Sequence, residues 1–253
     1  MRTIIAAALV VATSAGCGGS STKGSATTIK QETLTVLAAS SLTEPFTALG
    51  AAFERSHAGV KVALSFAASS ALAEQVVEGG PGDVIVTADR ANLAKVGAAA
   101  GAPTVIARNR LTILVAKENP KRITGLRDLG RAGVVLVLCA VAVPCGKLGA
   151  LALAKAGVVA RPASLEDNVK AVVAKVTLGE ADAGIVYVTD VRAVAGKADG
   201  VAIDIAGDPA LEAVYPMAVL KTSAHAALAR AWIAFVASSE GQSVLAAHGF
   251  LSP

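Results

Sequence analysis

Apolar and polar positions alternate between two rhythms along this chain. Leu34 to Ala38 is a short continuous apolar run, the pattern of a buried strand. Phe46, Leu49 and Phe53 then recur at helical spacing behind Ser41-Leu42-Thr43-Glu44, which reads as a capping box. Val60, Val62, Leu64 and Phe66 alternate with Lys61, Ala63 and Ser65, a strand. Ser69 or Ser70 opens the next helix, carrying Leu72, Val76 and Val77, and Gly79 to Asp83 is a turn. Val84 to Thr87 is a third strand, followed by a short helix through Ala99. The rhythm restarts after Arg110. Strands are expected at Leu111–Ala116, Val134–Leu138, Gly184–Tyr187, Val201–Ile205 and Val214–Val219. Helices are expected from Val143-Pro144-Cys145-Gly146 to about Gly157, from Asp167 to Leu178, and over Ala224–Ala237 and Glu240–Ala247, with Gly249 closing the last. Strands alternating with helices predict an α/β protein with mostly parallel sheets and right-handed crossovers.

The N-terminus follows a different rule. Met1-Arg2-Thr3 precedes an apolar stretch from Ile4 to Ala12 and the small residues Thr13-Ser14-Ala15-Gly16-Cys17. That is an export signal, too short to span a membrane. The cysteine after Ala-Gly resembles a bacterial lipobox, with Ser14 where leucine is usual, and makes Cys17 the expected lipidation site. Ordinary cleavage leaving a free thiol is the alternative. Gly18 to Lys30 is rich in Gly, Ser and Thr and reads as a tether.

Composition removes some function classes. Charged residues make up 17% of the chain and aromatics 3%, and the net charge of +4 is scattered, with no basic stripe for nucleic acid. Once Cys17 is set aside, Cys139 and Cys145 remain, an even pair in an oxidising compartment. They are expected to staple a short loop, with two free buried thiols as the alternative. His57, His225 and His248 lack metal-ligand spacing and read as surface or helix-end residues.

The candidate chemistry lies in Ala39-Ser40-Ser41 and Ala68-Ser69-Ser70, each between a strand and a helix. Serine hydroxyls and the free N–H groups of two helix N-termini can enclose an oxyanion without a cationic side chain. With Gly82-Asp83-Val84, Ala88-Asp89, Val143-Pro144-Cys145-Gly146, Glu166-Asp167, Gly184-Ile185-Val186-Tyr187 and Tyr215-Pro216 in this order, residues 33–250 resemble the periplasmic molybdate-binding proteins of ABC importers.

The resemblance implies a type II periplasmic-binding-protein fold, with two α/β lobes joined by two hinge strands. The segments would be a signal at 1–16, a tether at 17–32, one lobe from 33–109 plus 214–253, and a second lobe at 110–213. It implies an oxyanion site of Ser41 and Ser69, through hydroxyl and N–H, of Cys145 and Val169, through N–H alone, and of the Tyr187 phenol. The ligand would be molybdate or tungstate, with no cofactor. The partners would be an ABC permease and its ATPase, and a monomer would be held by Cys17 on the outer face of the membrane. Lys147 reads as an exposed helix lysine rather than an anion ligand. The rivals are a sulfate or phosphate receptor of the same fold, a secreted serine hydrolase, and a lipoprotein that has kept the fold and lost its ligand. The sequence has no Gly-x-Ser-x-Gly elbow, and no histidine lies near either serine.

Overall fold

A computed structural model describes residues 31–203 and 208–253; the signal, Cys17 and most of the tether lie outside them. The first apolar run forms β1 (Glu32–Ala39), followed by a 3-10 turn at Ser40–Leu42 and α1 (Thr43–Ser56). Next come β2 (Val60–Ala67), α2 (Ser69–Val77), β3 (Val84–Val86) and α3 (Arg90–Val96). A long strand, β4 (Thr104–Ala116), leads to β5 (Leu136–Cys139), α4 (Pro144–Lys155), β6 (Ser164–Glu166), α5 (Val169–Thr177), β7 (Ala183–Tyr187), α6 (Val188–Ala193) and β8 (Ala198–Ala202). The chain closes with β9 (Glu212–Val219), α7 (Ala226–Ala237) and α8 (Ser239–Ala247).

The strands run in the order β2-β1-β3-β9-β4-β7-β5-β6, with β8 also paired to β4. At one end β1 is parallel to β2 and β3, and at the other β5 is parallel to β6 and β7. Between them the long β4 is antiparallel to its neighbours. Its first half pairs with β9, and its second half with β7 and β8. Thus β4 is one continuous strand through the stretch where the sequence suggests a strand only from Leu111. The shortfall has a physical cause. Arg108-Asn109-Arg110 breaks the apolar run, because the two arginines face outward to Glu212 at 3.1 and 3.3 Å while Asn109 between them is fully buried.

Apolar helix faces cover both sides of the sheet. Phe46 and Phe53 of α1 are fully buried, and both meet the Trp232 indole of α7 edge-on, with centroids 5.8 and 5.3 Å apart. The three histidines all sit at helix ends: His57 and His248 cap the C-termini of α1 and α8, and His225 precedes α7. Gly249, at φ 94°, takes the left-handed turn just beyond α8 that glycine adopts without strain. Two local expectations need correction. The helix after β1 has no Ser41 capping box: α1 starts at Thr43 and receives no side-chain cap bond, because the Ser41 hydroxyl is engaged elsewhere. The last strand before β9 lies at Ala198–Ala202 rather than starting at Val201, and the rest of the expected run lies outside the described residues.

Candidate functional site

In an open α/β sheet, ligands bind at the carboxyl ends of the parallel strands, where helix N-termini converge. Ser40 and Ser41 follow β1 directly, and Ser69 follows β2. Cys145 comes six residues after the end of β5, Val169 opens α5 after β6, and Tyr187 ends β7. All five predicted ligand residues line one small cavity of about 20 Å³, together with Ala39, Ser40, Ala68, Ala88, Val143, Pro144 and Asn168. The five are between 1 and 4% exposed. The room suits a few atoms, not a sugar, a peptide or a nucleotide. Roomier cavities of about 330 and 300 Å³ lie elsewhere, the first floored by Leu111, Val191 and Leu211, the second along α4. Neither gathers such a set of helix N-termini.

Each donor is aimed by its neighbours. Ser69 Oγ accepts the Ala88 N–H at 2.9 Å, so its own hydrogen is free to point into the cavity. Ser41 Oγ lies 2.9 Å from the Tyr215 hydroxyl. Pro144 occupies the first position of α4, where a missing N–H costs nothing, and Cys145 follows with an N–H that has no acceptor within the helix. Asn168 caps α5 by accepting the Ala171 N–H, leaving the Val169 N–H directed outward. The Tyr187 hydroxyl is buried and has no hydrogen-bond partner among the described residues. Burial, reinforced by nearby Tyr215 and Asp190, pushes its pKa well above the ordinary tyrosine value. It is therefore a neutral phenol with a hydrogen to give.

The loop presenting Cys145 is fixed twice. Cys139 and Cys145 form a disulfide with Cα atoms 5.8 Å apart, tying the end of β5 to the start of α4. Beside it, a Cβ on Gly146 would stand 1.9 Å from the Ala140 carbonyl oxygen, so no other residue fits.

Charge is kept just outside. Lys170 Nζ is 2.8 Å from Glu44 of α1 and 3.2 Å from Asp190 of α6, which is fully buried. The Lys170 pKa rises despite the desolvation that opposes it, because these two carboxylates favour its charged form. Burial raises the Asp190 pKa in turn, against the opposing pull of Lys170. No carboxylate and no cation belongs to the cavity lining, and Lys147 is exposed away from it. Three buried polar residues behind the cavity escape the sequence reading: Asn109, Thr189 and Tyr215. The signal for Asn109 was present, as one amide between two arginines in an otherwise apolar strand. Tyr215 belongs to the Tyr215-Pro216 pair that carries the resemblance, which implies no ligand role for it.

A serine hydrolase needs a base within reach of its nucleophile. The hydroxyls of Ser41 and Ser69 instead meet a phenol and a backbone amide, and all three histidines stand at helix ends. Fold and site together define an α/β solute receptor of the periplasmic-binding type. The chain belongs to the bacterial extracellular solute-binding protein family, whose model matches residues 34–251. It is 38% identical to the molybdate-binding protein ModA of Mycobacterium tuberculosis over 258 aligned positions, covering all of this chain and 98% of that one. With ModA of Escherichia coli the identity is 27%, over 86% of this chain and 88% of that one. Among solved structures, the periplasmic molybdate-binding protein of Azotobacter vinelandii superposes with a TM-score of 0.74 at 21% identity, covering 87% of this chain and 99% of that one. The sulfate-binding protein SubI of M. tuberculosis gives the same TM-score at 23% identity, covering 87% and 86%. At these identities the superpositions establish the fold alone.

Proposed function

We propose that this protein captures molybdate or tungstate outside the cytoplasm and hands it to an ABC permease and its ATPase. Ser41, Ser69, Cys145, Val169 and Tyr187 hold the anion by hydrogen bonds to its oxygens. The observation that carries the reading is the buried Tyr187 hydroxyl, unpartnered in a cavity whose lining holds serine hydroxyls and helix N-termini but no carboxylate. Molybdate and tungstate are tetrahedral dianions without a proton and have only acceptors to offer, so this donor set matches them. Each hydrogen bond to a charged partner contributes about 1.5–3 kcal/mol, and the N-termini of α2, α4 and α5 add a favourable dipole field. The full-length similarity to M. tuberculosis ModA supports molybdate over other oxyanions.

In this reading residues 33–109 plus 214–253 form one lobe and 110–213 the other, closing about β4 and β9 as hinged receptors do. Cys17 carries the lipid anchor after removal of residues 1–16, and residues 17–32 serve as the tether. Sulfate is the second reading, since it too is an acceptor-only dianion and SubI shares the fold. Calorimetric titration with molybdate, tungstate, sulfate and phosphate tests the choice. One site per chain with molybdate and tungstate well ahead of sulfate supports the proposal, and sulfate binding as tightly as molybdate overturns it.

A further inference from the structure

Behind Ser41 runs a buried chain of side chains that does not touch the cavity. Strand alternation turns Asn109 of β4 inward, between two outward arginines, and leaves it 0% exposed. Its Oδ1 accepts the Arg110 N–H at 2.9 Å. A backbone N–H can only donate, so this bond fixes which way the amide faces. The Nδ2 group must then point the other way, 2.8 Å from Thr189 Oγ1 and 3.5 Å from the Tyr215 hydroxyl. Tyr215, fully buried on β9 with its ring edge-on to Phe250, receives a hydrogen on that side. Its own hydrogen is left for Ser41 Oγ, 2.9 Å away. Ser41, already accepting, turns its hydrogen to the cavity.

We propose that Asn109 is a specificity-determining positioning residue: through Tyr215 it forces Ser41 to act as a donor, so the site selects oxyanions that carry no proton over those that do. The inference rests on the oxyanion reading given above. Ser69 is a donor for an independent reason, since a backbone N–H occupies its oxygen, whereas the unpartnered Tyr187 phenol can give or receive. A ligand that brings its own hydrogen therefore meets a hydrogen at both serines and has only Tyr187 left to receive it. Ser41 is the arm whose polarity a side chain sets, and so the arm that substitution can reverse. With aspartate at 109, Tyr215 gives its hydrogen to the carboxylate, Ser41 gives its own to Tyr215, and a lone pair is presented to the cavity.

Cavity size must be separated from protonation, and selenate and arsenate do this. At pH 8 both are tetrahedral dianions of nearly equal size, and the hydrogen arsenate ion carries one proton that selenate lacks. Each is titrated in competition with molybdate against the wild-type protein, Asn109→Asp and Tyr215→Phe. The wild-type protein is expected to favour selenate. Asn109→Asp should cut that preference about tenfold or more, the worth of one hydrogen bond to a charged group. Tyr215→Phe should also reduce it, because Ser41 is then free to accept. This second variant removes one hydroxyl and keeps the packed ring, so it stands in should a carboxylate at 109 prevent folding. A purely structural role for Asn109 would weaken both anions equally, and an unchanged selenate-to-arsenate ratio overturns the inference alone. Failure of the wild-type protein to bind molybdate overturns the inference together with the function beneath it.

Discussion

Removing the Tyr187 hydroxyl should have opposite effects on binding and on folding. In Tyr187→Phe the ring keeps its place at the end of β7, where it is 1% exposed. The hydroxyl has no partner among the described residues, so its loss breaks no internal bond. A buried polar group left unmatched costs about 1–3 kcal/mol. Taking the low end, the ligand-free variant should be more stable by up to about 1 kcal/mol, which is about 2–4 °C in melting temperature for a chain of this size. Binding should move the other way. In the proposed site the phenol gives one hydrogen bond to a dianion, about 1.5–3 kcal/mol, so molybdate affinity should fall roughly 10- to 150-fold. Because its pKa lies well above the ordinary value, the wild-type phenol stays protonated and the difference should be constant from pH 6 to 8. Calorimetric titration and thermal unfolding without ligand read the two quantities. A variant that melts lower yet binds molybdate as before would reduce Tyr187 to a core tyrosine and refute the reasoning.

Other substitutions probe the surrounding parts. Ser41→Ala and Ser69→Ala should each weaken molybdate binding about ten- to a hundredfold, with ligand-free stability lower by about 1 kcal/mol for the lost internal bonds; titration showing full affinity in both would remove the serines from the site. Lys170→Met should cost up to about 3 kcal/mol at pH 7, since it strands the buried Asp190 carboxylate. That deficit should shrink as the pH falls and Asp190, its pKa raised by burial, takes up a proton. It should shrink again in strong alkali, because the stabilisation from a lysine with a raised pKa is complete below about 10.4 and is lost above it; denaturation curves across pH check both limbs. Reduction, or Cys139→Ser, should weaken molybdate binding more than it unfolds the protein, because the bond holds the loop that presents the Cys145 N–H; equal affinity with and without reductant would deny it that role.

The elements that sequence made legible are those with an uninterrupted period. The apolar run of β1, the alternation in β2 and the helical spacing of Phe46, Leu49 and Phe53 each match the structure closely. The two serine clusters are legible from their places between a strand and a helix, where the chemistry of a helix start is local, whereas Cys145, Val169 and Tyr187 enter only through the resemblance to the molybdate-binding family. What remained hidden depends on contacts distant in sequence. The first half of β4 carries arginines that an alternation rule reads as a break, and only pairing with Glu212 about a hundred residues later makes them strand residues. Ser41-x-x-Glu44 has the form of a capping box, but tertiary partners override it. Ser41 turns to Tyr215, 174 positions away, and Glu44 reaches Lys170, 126 positions away. β6, three residues long, is below the length at which any period can be seen.

The central claim is that one oxyanion sits between the carboxyl ends of the two strand groups, held by Ser41, Ser69, Cys145, Val169 and Tyr187. Diffraction at the molybdenum absorption edge, from crystals grown with molybdate, tests it most directly. The account predicts a single strong anomalous peak in the cavity those residues line, with oxygens at hydrogen-bond distance from the hydroxyls of Ser41, Ser69 and Tyr187 and from the amides of Cys145 and Val169. A molybdenum peak elsewhere on the molecule, with that cavity holding only solvent, would contradict it.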